Sequence, residues 1–372
     1  VEIASSYEIV ILGLTISSSW GNGHATTYRG LMKELTRRGH RVLFLERDMP
    51  WYAEHRDIIN TEYGEIRLYQ SIQELKLKYT KEIETADLVI VGSYVPEGKT
   101  VGEWVINTTK GIAAFYDIDT PVTLSRIKRE ACDYISAEQI SKYDLYLSFA
   151  GGSVLSILEN VYGAPLAKPL YCSVDPDLYK TVVTNKNYDL GYMGTYSKDR
   201  QDLVEKLLMT PASNWKDGKF IVAGPQYPQT IVWPENVVRK DHVAPSAHSE
   251  FYSSQRYTLN LTREDMVKTG YAPSVRLFEA AACGTPIISD YWEGIDTLFD
   301  PGKEVLIAGS SEDVIRYLKE VPEDERNKIG LSAKNRVLTS HTAAHRAIEL
   351  ETYYKEALNY RKCNYSMPQK EI

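Results

Sequence analysis

The stretch GYAPSVRLFEAAACGTPIISD, Gly270 to Asp290, contains one complete passage from helix to strand. Pro273 and Ser274 are residues that open helices, Gly284 is one that closes them, and Pro286 leads into the apolar pair Ile287-Ile288. A helix that hands over through one glycine to a short β-branched run is the repeating step of a parallel sheet. Working outward, Tyr188 to Met193, Phe220 to Ala223, Val237 to Arg239 and Thr258 to Leu261 read as strands before it, with a helix over Lys198 to Met209. After it, Val305 to Ala308 reads as a strand, and helices begin near Ser311, Glu323 and Thr342.

The first half repeats the alternation. Glu8 to Thr15 (EIVILGLT) is an apolar run suited to a strand buried on both faces; a small-residue loop follows, then a helix-period stretch through Arg38 that stops at Gly39. Arg41 to Leu45, Ile66 to Tyr69, Leu88 to Val91, Ile112 to Phe115 and Leu145 to Phe149 are further strands. Between Lys168 and Lys186, Pro169, Pro176 and a polar run interrupt the pattern, which places the linker there. The expected class is α/β, with two doubly wound Rossmann-like domains in tandem and a ligand cleft between them. The expected boundaries are 1–174, 175–340, a closing helix over 341–358 and a frayed tail over 359–372.

Length and composition agree with this. At about 150 residues per domain, 372 residues suggest two. Hydrophobic content of 43% with 25% charged residues is that of a globular chain and excludes disordered and low-complexity classes. No apolar run approaches the roughly 18 residues that a bilayer span requires. A net charge of −7 without a Lys/Arg block argues against an extended nucleic-acid surface, while leaving room for a local basic pocket. Cys132, Cys172, Cys283 and Cys363 show no metal or disulfide spacing, so the thiols are expected to be reduced and the chain cytoplasmic. No secretory signal is visible at Val1-Glu2-Ile3.

Four groups of residues could carry chemistry. Gly21-Asn22-Gly23-His24 lies where a strand meets a helix N-terminus, a place for an anion or sugar, or simply a tight turn; it fails the G-x-G-x-x-G pattern, because Thr26 stands three after Gly23. Asp117 and Asp119 follow a buried strand and could take a proton from an alcohol or hold sugar hydroxyls; alternatively Asp119 caps the helix near Pro121. Gly194, Lys198 and Arg200 follow the opening strand of the second half and could grip a diphosphate, or form a solvated surface. At the fourth, the helix start near Ser274 with Arg276 in its first turn suits a phosphate, and Glu279 one turn on could accept hydrogen bonds from a ribose diol. His341 and His345, at i and i+4 in the closing helix, could ligate a metal but lack a further acid or cysteine, so a surface helix is the plainer reading.

The run RLFEAAACGTPIISD (Arg276 to Asp290), with GTYSKDR (Gly194 to Arg200), SYVPEG (Ser93 to Gly98), YDIDTP (Tyr116 to Pro121), SVDPDLY (Ser173 to Tyr179) and LFDPGKEVLIA (Leu298 to Ala308), resembles GT-B glycosyltransferases. Spore-maturation CgeB-type and family four enzymes are the nearest in pattern. The resemblance implies sugar transfer from a nucleotide-sugar, held by the C-terminal domain, to an acceptor held by the N-terminal one. It matches Glu279 to a ribose-binding glutamate, Lys198 and Arg200 to diphosphate-holding residues, and Val243 to a backbone contact with the nucleobase. The donor set it implies further includes Gly194, Tyr196, Gly224, His242, Gly270, Tyr271, Ser274, Val275 and Arg276. Asn22, Gly23 and Asp119 fall on the acceptor side, with Asp117 and then His24 as candidates for activating the acceptor. Many family four enzymes carry a second glutamate eight positions before the first, and here that position is Tyr271.

The expected function is thus a metal-independent, retaining glycosyltransferase using a UDP-sugar, UDP-glucose foremost, in polysaccharide biosynthesis. Its acceptor would be a glycan, a lipid-linked sugar or a protein. No cofactor and no nucleic-acid partner are expected; peripheral membrane contact is compatible with the sequence. A nucleotide-sugar epimerase of the same fold and a catalytically silent sugar-nucleotide-binding module are the alternatives, the latter favoured by Tyr271.

Overall fold

A computed structural model describes residues 6–20, 23–58 and 61–365. The chain forms two compact units. The first comprises the described residues up to Ser18, Thr27–Tyr171 and the segment from Ala343 onward; the second comprises Cys172–Thr342 with the described residues of Ser19–Thr26.

In the first unit, seven strands, β1 (Glu8–Gly13), β2 (Arg41–Arg47), β3 (Glu65–Tyr69), β4 (Leu88–Gly92), β5 (Ile112–Asp117), β6 (Leu145–Ser148) and β7 (Ala167–Pro169), lie in the order β3-β2-β1-β4-β5-β6-β7. All neighbours are parallel, with Ile9 opposite both Val42 and Leu88. Central strands of a parallel sheet are covered on both faces, and every residue of β4, β5 and β6 is buried. β7 falls in the stretch expected to be linker. Pro169 ends it at the sheet edge, where a missing N–H is tolerated.

The helix Ala343–Tyr365 belongs to this unit. Glu351 binds Arg38 and lies 2.9 Å from His40 Nε2, Arg361 donates to the Gly111 carbonyl, and Lys168 pairs with Glu356. The expected frayed tail is corrected up to Tyr365: residues 359–365 are helical, because Arg361 gives this turn a partner on the sheet. Residues 366–372 lie outside the described ones. His341 and His345 do not share a helix, since His341 caps the C-terminus of Glu323–Ser340 and packs on Phe278.

The second unit has six strands, β8 (Tyr188–Met193), β9 (Phe220–Ala223), β10 (Val237–Lys240), β11 (Gln255–Asn260), β12 (Ile287–Ser289) and β13 (Leu306–Ile307), parallel in the order β10-β9-β8-β11-β12-β13. Leu190, Tyr192, Phe220, Val222, Tyr257, Leu259 and Ile288 form its core with Leu207, Leu208 and Val314 from the helices. The helix from Lys198 runs on to Asn214 through a π turn at Glu205–Met209. Pro211, which has no N–H to give the turn before it, follows directly.

The helix Val275–Ala282 packs on Glu323–Ser340, and Gly330 permits the approach: a Cβ there would lie 2.4 Å from the Gly284 carbonyl oxygen and 3.0 Å from the Pro286 ring. Backbone cannot yield as a side-chain tip can. Gly330→Ala is expected to destabilise the chain by about 1–3 kcal/mol, read as a lowered midpoint in urea unfolding with an unchanged slope.

Candidate functional site

The second unit contains a pocket of about 220 Å³ at the C-terminal ends of its strands. Met193, Gly194 and Thr195 line it after β8, Gly224 and Pro225 after β9, and His242 and Val243 after β10. Pro245, His248 and Tyr252 come from the helix Pro245–Ser253, and Val275, Arg276 and Glu279 from the helix Val275–Ala282. Ser19, Gly23 and Thr26 complete the wall. This end of a parallel α/β sheet is where its ligands bind.

Arg276 is fixed from three sides. Its Nε donates to the Met193 carbonyl, Nη1 donates to Asn260 Oδ1 at 3.1 Å, and the guanidinium lies over the Tyr192 ring at 4.8 Å. Asn260 is itself oriented, since its amide nitrogen donates to Ser289 at 2.9 Å, which turns Oδ1 toward Arg276 and the Ser274 hydroxyl at 2.6 Å. Nη2 faces Gly194, where a Cβ would stand 2.9 Å from it and 2.7 Å from the Tyr192 hydroxyl. Any side chain at 194 would fill the ground in front of the guanidinium.

Arg200 donates through Nη2 to the Thr195 carbonyl at 2.6 Å. Its buried Nε and the Tyr192 hydroxyl have no hydrogen-bond partner among the described residues. On two guanidinium groups already held by backbone and amide oxygens, an unmatched N–H and, beside Gly194, an unmatched hydroxyl leave donors without an acceptor, the chemistry of an anion site. Glu279 lies on the same helix as Arg276, 4% exposed, and accepts from the Tyr252 hydroxyl at 3.1 Å. A carboxylate at a pocket wall retains lone pairs for hydroxyl donors.

Of the residues expected from sequence, Gly23, Gly194, Arg200, Gly224, His242, Val243, Val275, Arg276 and Glu279 are thus brought together. Ser274 stands behind the wall and acts on it through Asn260. Lys198 is exposed at the start of its helix and does not line the pocket; Tyr196 packs on Tyr227 with ring centroids 5.5 Å apart. Gly270 and Tyr271 are also elsewhere: the Tyr271 N–H donates to the Glu293 carbonyl at 2.6 Å and its ring lies against Gly294, so they support the 292–294 turn. His24 is half-buried at the start of the helix His24–Arg37, between two lining residues but not one itself. Asn22 lies outside the described residues.

Asp117, the first candidate for acceptor activation, is a structural carboxylate of the first unit. It is wholly buried, accepting from Tyr146 at 2.6 Å, Thr123 at 2.7 Å and the Asp119 N–H at 3.2 Å, so no face is open to a substrate. Asp119 occupies the N-cap position but makes no side-chain capping bond; it accepts from the Tyr94 hydroxyl at 2.8 Å. Sequence reasoning missed Ser19, Thr26, Met193, Thr195, Pro225, Pro245, His248 and Tyr252 of the wall, and Asn260 behind it. The helix carrying three of them was signalled by Pro245 ahead of His248 and Tyr252 at i, i+4 spacing.

Residues 200–352 match the model of a family described as glycosyl transferase-like. A search of curated proteins found no match. Among solved structures, a sucrose-phosphate synthase from Thermosynechococcus elongatus is 13% identical, with a TM-score of 0.68 over 95% of this chain and 99% of that one. Anabaena Alr3699/HepE in complex with UDP and glucose is 12% identical, with a TM-score of 0.71 over 94% and 99%. An alpha-glucosyltransferase in complex with UDP and a 13-mer DNA is 12% identical, with a TM-score of 0.70 over 94% and 100%. At such identities the likeness establishes the fold, which is GT-B.

Two tests follow from these contacts. Burial, partly offset by its three hydrogen bonds, raises the Asp117 carboxyl to about 6 from an ordinary 3.8. The folded chain then keeps a proton that the unfolded chain loses between those values, so this group lowers stability as pH rises through the window. In Asp117→Asn, the unfolding free energy relative to wild type is expected to rise by roughly 2 kcal/mol between pH 4 and pH 6.5, measured by urea melts. Asn260→Asp sets a carboxylate against Arg276 and is expected to weaken inorganic pyrophosphate binding at least about tenfold by calorimetry, since it cancels the guanidinium charge that the neutral Asn260 amide leaves available.

Proposed function

We propose that the protein is a glycosyltransferase that takes its sugar from a nucleoside diphosphate donor bound in the second unit. The observation that carries this reading is the joint placement of Gly194, Arg200, Arg276 and Glu279 on the wall of one pocket: cationic donors for a diphosphate and, on the same helix as Arg276, a carboxylate for a ribose diol. The match of residues 200–352 to a glycosyl transferase-like family, and the UDP in the HepE and alpha-glucosyltransferase complexes, support it. UDP-sugars, UDP-glucose foremost, are the proposed donors. A glycan, lipid-linked sugar or protein is the proposed acceptor, as in polysaccharide assembly. No helix among the described residues is long and apolar enough to cross a membrane.

In this reading Arg276 and Arg200 stabilise the charge that develops on the leaving diphosphate. They are held by Asn260, Met193 and Thr195 before the reaction begins, so little reorganisation accompanies it. Fixed guanidinium groups can do this work without a metal ion. With Asp117 enclosed by Tyr146 and Thr123, the reading assigns the acceptor's proton to the departing phosphate, which fits a retaining transfer. His24 remains the side-chain alternative.

The test is a thermal-shift screen of UDP, GDP, dTDP and ADP, followed by turnover of the preferred donor in EDTA and assignment of the product anomer by NMR. UDP is expected to raise the melting temperature most, since a ligand at a hundred times its Kd stabilises by about 2.7 kcal/mol. Glu279→Ala should weaken UDP binding by about 1–3 kcal/mol. Isomerised sugar nucleotide with donor alone would mark an epimerase. Saturable binding without turnover on any acceptor would mark a binding module.

A further inference from the structure

Tyr179 ends the SVDPDLY motif, to which nothing above assigns a task, and its side chain is buried. Its hydroxyl lies 3.1 Å from His248 Nδ1. Burial first, and then the facing Glu279 carboxylate, hold the phenol well above its ordinary value. The other imidazole nitrogen, Nε2, lies 3.0 Å from the Val243 carbonyl oxygen. A carbonyl only accepts, so Nε2 bears the hydrogen and donates it, which leaves Nδ1 of the neutral ring to accept from Tyr179. Nδ1 stands 3.9 Å from Glu279 Oε2, the oxygen that also accepts from Tyr252. One chain of contacts therefore runs from Glu279 through His248 to the peptide of Val243, with Tyr179 seated on the imidazole nitrogen nearest Glu279 and both ends on the pocket wall.

The Tyr179 hydroxyl gives its one proton to His248 Nδ1, the nitrogen whose lone pair also faces the Glu279 carboxylate. Hydrogen bonds given to Glu279 from the pocket side draw off the charge that the Nδ1 lone pair faces, which favours the tautomer with its hydrogen on Nε2 and on the Val243 carbonyl. We propose that Tyr179 and His248 are positioning residues that couple the Glu279 carboxylate to the Val243 peptide, so that the ribose diol and the base of a nucleotide are read together rather than separately. The proposal rests on the donor reading above and adds to it the way the nucleoside is recognised. Tyr179 is not on the pocket wall, whereas His248 is; in this account both act through Glu279 and Val243.

Calorimetric titration of UDP, 2′-deoxy-UDP and inorganic pyrophosphate into wild type, Tyr179→Phe, His248→Ala, His248→Gln and the Tyr179→Phe/His248→Ala double variant tests it. Tyr179→Phe removes a single oxygen and keeps the buried ring, so it remains informative if His248→Ala fails to fold. Tyr179→Phe and His248→Ala are each expected to weaken UDP about tenfold, to leave pyrophosphate within twofold, and to narrow the preference for UDP over its 2′-deoxy form. The double variant should be no weaker than the weaker single one, because one chain is broken once. His248→Gln, whose amide can still donate to Val243, should recover part of the UDP affinity. Equal losses for UDP and pyrophosphate, additive losses in the double variant, or unchanged UDP binding would each overturn the coupling while leaving the donor reading in place. Wild-type protein that binds neither UDP nor pyrophosphate would overturn the donor reading itself.

Discussion

A guanidinium group that is 7% exposed needs acceptors wherever it is not facing a ligand, and the second unit is arranged around meeting that need for Arg276. Met193 at the end of β8, Asn260 at the end of β11 and, behind Asn260, Ser289 at the end of β12 each give one hydrogen-bonding group to it or to its holder. Three adjacent strands are thereby tied at their C-terminal ends by one side chain. The strand order β8-β11-β12 is what makes these three residues neighbours. The same tie settles which edge of the guanidinium is left over, and Gly194 keeps that edge uncovered.

Asp290 shows the other side of this arrangement. Burial raises its carboxyl to about 6 while the Thr262 N–H and hydroxyl, at 2.9 and 3.0 Å, hold it in place. It lies next to Ser289, where a fully charged carboxylate would compete for Arg276. The Thr262 bonds keep Asp290 on the loop after β11, so that Arg276 takes a neutral amide oxygen as its side-chain acceptor. A neutral holder orients a cation without cancelling it, which suits a residue whose charge is to be used on something else.

The sequence made the strands legible because a strand buried on both faces has to be a short apolar run; EIVILG, LVIVG and LYLS carry that signature. Glycine at 284 and proline at 286 marked the passage that carries Arg276 and Glu279, and both residues line the pocket. What stayed hidden has a common cause. Asn260 and His248 work through side-chain partners far away in sequence, such as Ser289 and Tyr179, and no local spacing announces a partner of that kind. Asp117 misled for the converse reason: two carboxylates after a buried strand look available, but Tyr146 and Thr123, which enclose the first, come from elements whose approach is a tertiary fact. Lys198 stands two positions before Arg200 and Tyr271 four before Val275, yet neither lines the pocket, because a few positions along a helix start or a turn change the direction of a side chain.

The helix Ala343–Tyr365 also bears on how the chain is made. It follows every strand of both sheets in the sequence, and its Glu351, Glu356 and Arg361 are partnered by Arg38, His40, Lys168, Asp144 and Gly111 of the first unit. On the ribosome the strands of the second unit are made before this helix emerges, so the first sheet waits for this partner through the synthesis of the other unit. The first sheet therefore gains this helix only after the strands of the second unit exist, and for that interval Arg38 and His40 are without Glu351.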